Sequence, residues 1–131
     1  MIATNTKLAY SSCKVILSHA GGTLPFLITR ISTVSQESVA TAKIYGKSSE
    51  GLMEDFRSFY FDLALSSSDA MLRLVLDKIP HSKLLYESDY PYASPDKTLV
   101  FKQTLDTFPM KDDPREKIHF KNAEALLAEE E

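Results

Sequence analysis

Two segments of this sequence end an apolar, β-forming run on a titratable side chain of a kind that moves protons or holds metal ions. The first, KVILSHAGGTLPFLITR from Lys14 to Arg30, carries Val15, Ile16 and Leu17 into His19 and then into Gly21 and Gly22. The second, KLLYESDYPYA from Lys83 to Ala93, ends on Asp89 ahead of two tyrosines and Pro91. An imidazole titrates near neutral pH and can both take and give a proton, which makes His19 a candidate acid or base. A carboxylate oxygen is a hard ligand for a zinc-type ion, which makes Asp89 a candidate metal ligand. Each also has a plain structural reading. His19 could be a histidine hydrogen-bonded at a strand end, and Asp89 a turn residue ahead of a proline.

Both residues need elements that deliver them to one place. Val15 to Leu17 read as a strand, the two glycines permit a sharp exit, and Pro25 suits the first turn of the helix that follows. Leu24, Leu27, Ile28, Ile31 and Val34 recur at helical spacing and give that helix one apolar stripe. Residues 35–51 read as a helix end and a loop. Leu52 to Phe56 looks helical and Phe59 to Leu65 reads as a second strand. Ser68 or Asp69 caps a helix whose stripe of Leu72, Val75, Leu76 and Ile79 is closed by Pro80. Leu84 to Ser88 reads as a third strand, followed by a helix from about Ser94 to Phe108. Asp113, Pro114 and Glu116 give a cap, a first-turn proline and a capping-box carboxylate, so another helix starts there. Ala123 to Leu127 closes the chain as a short helix, and Glu129 to Glu131 should fray at its negative end. Strands alternating with helical stripes indicate parallel βα units of an α/β fold. In barrels of such units the carboxyl ends of the strands carry the chemistry, and His19 and Asp89 both fall there.

With 131 residues, 44% of them hydrophobic, the chain suits one domain with a real core. Its formal charge of −3 and the lack of any basic run argue against nucleic acid as a partner. The lone Cys13 has no partner for an internal disulfide, and its place before a strand suits a small buried hydrophobe. Neither a charged-then-apolar leader nor an apolar run of spanning length is present, so the expectation is a soluble, cytoplasmic chain with no membrane partner.

The two motifs resemble those of the amidohydrolase-related metal-dependent decarboxylases, which act on substrates such as aminocarboxymuconate semialdehyde and 6-methylsalicylate. SHAGGTLPF is similar to their histidine motif and SDYPYA to their metal-aspartate motif, in the same order, with FYFDLAL between and NAEALL after. The resemblance runs from about Lys14 to Leu127. It implies a partial (β/α)8 TIM barrel over residues 1–131, holding about the last three βα units, because a whole barrel needs about 250 residues. It implies a carboxy-lyase acting on a small aromatic or unsaturated carboxylic acid, with His19 handling proton transfer and Asp89 binding zinc or a similar divalent metal. A hydrolase of the same superfamily and a non-catalytic fragment are the competing readings.

The resemblance also marks departures. The family's other ligands, a His-x-His pair and a further histidine, should lie upstream of His19, where this chain has 18 residues and no histidine. His81 and His119 do not match and read as solvated surface residues, so the chain by itself should hold zinc weakly. Glu87 stands where the family has glycine, two residues before Asp89 and on the same strand face, so it must ionise with difficulty, find a cation, or stand outside a complete barrel. Asp62 matches a family aspartate and reads as a hydrogen-bonding residue near the site floor. Arg30 reads as a surface or dimer-contact residue, and Tyr90 and Tyr92 as pocket or rim aromatics. Three strands that do not close leave the first and last edges open, which favours association into a homo-oligomer.

Overall fold

The computed structural model describes residues 1–2, 4–34, 38–40, 43 and 46–128. Much of the loop read at 35–51, and the terminal glutamates, lie outside them. Three short strands form one parallel sheet in chain order: β1 (Ile16–Leu17), β2 (Tyr60–Asp62) and β3 (Leu84–Leu85). Ile16 pairs with Tyr60 and Leu17 with Phe61, and on the other side Phe61 pairs with Leu84 and Asp62 with Leu85. The strands are shorter than the apolar runs that predict them: the chain bends at Ser18 after β1 and turns at Ala64 after β2, while Tyr86 to Asp89 follow β3 as irregular backbone.

Helices among the described residues include α1 (Thr6–Ala9), α2 (Leu24–Val34), α3 (Ser49–Ser58), α4 (Asp69–Lys78), α5 (Pro95–Thr107), α6 (Asp112–Glu116) and α7 (Asn122–Ala128). Hydroxyl caps start three of them: Ser48 accepts from the N–H of Gly51, Ser68 from Met71 and Ser94 from Lys97. Phe61 and Leu84 on one face of the sheet join Phe56, Leu72, Val75, Leu105 and Ile118 in a single buried core. Phe56 and Phe61 meet edge to face with ring centres 5.2 Å apart. A Cβ on Gly21 would lie 2.9 Å from the Phe61 ring, and its φ is +76°, so space and backbone both call for glycine.

The last part of the chain departs from its sequence reading. α6 begins at Asp112, with Lys111 as its cap residue, and runs through a π turn at Lys117–Lys121 straight into α7. His119, expected on the surface, is mostly buried there. Its Nε2 lies 3.0 Å from Asp106 on α5 and its ring lies 5.7 Å from that of Tyr86. The second oxygen of Asp106 takes the Lys102 ammonium, which raises that lysine above its ordinary value. His81 is likewise half-buried, with its ring nitrogen 3.2 Å from the Leu76 carbonyl. Both histidines are tied to neighbouring elements by polar contacts that no local pattern displays. Cys13 is exposed rather than buried.

Candidate functional site

Parallel pairing puts the loops after β1, β2 and β3 at one end of the sheet, and the backbone there is unusually strained. Asn5, His19, Ala20, Leu65 and Asp89 are the described non-glycine residues with positive φ, and all but Asn5 lie in those loops. Such conformations cost about 1–3 kcal/mol each and gather where a site over-determines the backbone. His19 (φ 53°) and Asp89 (φ 61°) are themselves among the strained residues.

His19 is held from two directions. Its backbone N–H donates to Asp62 Oδ1 at 2.8 Å, and its ring Nδ1 lies 2.9 Å from the Ala64 carbonyl oxygen. A carbonyl has no proton to offer, so Nδ1 carries the hydrogen and donates it. Nε2 is then the nitrogen with a free lone pair, on an exposed residue. Asp62 Oδ1 also accepts the Ala64 N–H at 3.2 Å, so one buried carboxylate fixes both the His19 backbone and the segment that orients its ring. The role read for Asp62 matches this position. Ala64 was not legible as part of the site, since it acts through its main chain and a small apolar residue gives no sign of that.

Asp89 leaves the far strand, β3, half-exposed. Its N–H donates to Glu87 Oε1 at 2.7 Å. Glu87 is exposed, so its carboxylate is satisfied by a local turn and by solvent, and the buried alternatives lapse. Ser88 accepts from the N–H of Tyr90 and its carbonyl accepts from the Thr98 hydroxyl, which ties the turn to α5. Tyr90 and Tyr92 are largely exposed, and the peptide between Tyr90 and Pro91 is cis. Arg30 is exposed on α2.

His19 and Asp89 thus occupy the same end of the sheet, on β1 and β3 with β2 between them. They are not on neighbouring strands. His19 is joined to Asp62, and Asp89 to Glu87. No three His, Cys, Asp or Glu side chains converge among the described residues, so this donor set does not fit a metal ion by itself.

Residues 5–128 match the amidohydrolase family. A 6-methylsalicylic acid decarboxylase of Penicillium expansum is 38% identical over 109 residues, which are 83% of this chain and 33% of that protein. This chain therefore spans about a third of the length of that relative. A crystal structure of an amidohydrolase II superposes with a TM-score of 0.84 at 26% identity, covering 98% of this chain and 39% of that one. A dihydroxybenzoic acid decarboxylase from a Polaromonas species, crystallised with manganese and the inhibitor 2-nitroresorcinol, gives a TM-score of 0.81 at 21% identity over 99% of this chain and 38% of its own. Structures of this group are TIM barrels, and the three-stranded α/β piece here is consistent with part of one.

Proposed function

This chain belongs to the amidohydrolase family, and from that membership we propose that it forms the proton-transfer side of a decarboxylase site for an aromatic carboxylic acid. The observation that carries the reading is the His19 ring, held through Nδ1 at a strand carboxyl end with Nε2 left to react. Protonated Nε2 delivers its proton to the ring carbon that bears the carboxylate. The bond from that carbon to the carboxylate then breaks, its electron pair returns to the ring and carbon dioxide leaves. Solvent reprotonates the imidazole. Asp62 keeps the ring in register throughout and touches no reacting atom.

The names of the decarboxylase relatives support an aromatic acid, and 6-methylsalicylate is the first substrate to try. Asp89 is proposed as one oxygen ligand of a divalent metal, zinc by the family resemblance, with the other ligands outside the described residues. The manganese of the Polaromonas enzyme supports a divalent ion without selecting zinc. The βα units are proposed as the last three of the barrel.

The test exchanges this chain for the matching segment of the Penicillium expansum decarboxylase and follows carbon dioxide and the decarboxylated phenol. A folded chimera should turn over 6-methylsalicylate, and His19→Asn within it should slow turnover by about 10²- to 10⁴-fold. A folded chimera that releases no carbon dioxide, or one indifferent to His19→Asn, overturns the proposal.

A further inference from the structure

At the opposite end of the sheet, where the strands begin, parallel register gathers a second set of side chains. A polar cavity of about 390 Å³ is lined there by Lys7, Ser12, Lys14, Ser58, Tyr60 and Lys83, among others, and by no carboxylate. The residues come from α1, from the approaches to β1 and β2, and from the turn before β3. Tyr60 is the link, since Ile16 pairs with it on one side and the Lys83 ammonium sits 3.9 Å above its ring on the other. Lys7 is buried, and its ammonium donates to the carbonyls of Ser11 and Cys13, at 3.2 and 2.7 Å. Carbonyl dipoles and a ring face stabilise a cation without neutralising it. Among the described residues neither Lys7 nor Lys83 pairs with a carboxylate. The Lys14 ammonium donates to the Leu126 carbonyl and the Ser58 hydroxyl to that of Asp55, so Lys7, Lys83 and the hydroxyls of Ser11, Ser12 and Tyr60 form the positive, donor-bearing lining of this cavity in a chain of net charge −3.

We propose that this cavity is a binding site for a phosphate-type oxyanion. Ammonium groups supply the charge and the hydroxyls supply directed donors, which is the combination that a compact oxyanion with several acceptor oxygens requires. The site lies at the amino end of the strands, away from His19, and does not depend on the decarboxylase reading.

The full chain is titrated calorimetrically with inorganic phosphate, and separately with a phosphate monoester, with chloride at matched ionic strength as the control. Saturable phosphate binding that chloride does not mimic, weakened at least tenfold in Lys83→Gln, is the expected result. A tighter monoester than phosphate would identify the ligand as an ester, and the reverse order would identify free phosphate. Lys7→Met removes a buried stitch to the Ser11–Cys13 loop and can unfold the chain, so Lys83→Gln, at a half-exposed residue, carries the test. Absence of saturable binding, equal response to chloride, or unchanged affinity in a folded Lys83→Gln overturns the proposal.

Discussion

Asp62 is the residue on which the His19 geometry depends. Its Oδ1 takes two backbone N–H groups, from His19 and Ala64, inside a buried loop. Asp62→Ala strands both donors, and an unsatisfied buried donor costs about 1–3 kcal/mol. Asp62→Asn keeps an oxygen in place and should cost less than half as much. Urea unfolding of the two variants checks this, and equal losses would show that the charge rather than the geometry matters. At this scale the sequence was informative for side chains. The histidine and the aspartates were marked by what they follow in the chain, a β-forming run or the middle of an apolar strand. The Ala64 carbonyl had no signature, because every residue owns one and only the tertiary path decides which is aimed at a ring.

Arg115 does at the level of elements what Asp62 does within the site. Its Nη1 donates to the carbonyls of Leu105 and Asp106 and its Nη2 to that of Phe108, so one guanidinium covers the open carboxyl end of α5 from the first turns of α6. Terminal helix carbonyls lack partners within the helix, and a planar five-donor fork meets several at once. Arg115→Ala should lower stability by about 1.5–3 kcal/mol, and Arg115→Lys should recover little of it. Full recovery by lysine, seen in thermal unfolding, would show that charge at the helix end suffices. The helices themselves were legible from stripes and caps, with Ser68, one of the two cap residues read for α4, accepting from Met71. The π turn that fuses α6 to α7 was not, since its 3.6-residue pattern breaks where an extra residue is accommodated.

Across the whole molecule, the sheet has two edges of unequal character. The Leu63 N–H donates to the Leu85 carbonyl, so Leu84 and Tyr86 turn their backbone groups outward from β3. Those groups are taken: the Leu84 N–H by His81, the Leu84 carbonyl by the Asn122 side chain and the Tyr86 N–H by the Ile118 carbonyl. The expectation of two open edges is therefore corrected at β3, where the π turn and Asn122 close it. β1 keeps its edge, with Ile16 turned outward, 47% exposed, and without a backbone partner among the described residues. Open edges template further pairing, so the chain should self-associate with concentration, and Ile16→Lys should suppress it. A wild-type chain that stays monomeric in sedimentation equilibrium would sink this. The sequence by itself determined the α/β class, the strand order along the chain and the two strand-end motifs, because periodicity and turn chemistry are local. Only the tertiary structure decided that β2 separates His19 from Asp89, that Glu87 closes on its own turn, and that one edge is capped. The first and last depend on strand register and on contacts between residues tens of positions apart, which no local pattern encodes, while the Glu87 turn is local but forms only because the fold leaves that side chain exposed.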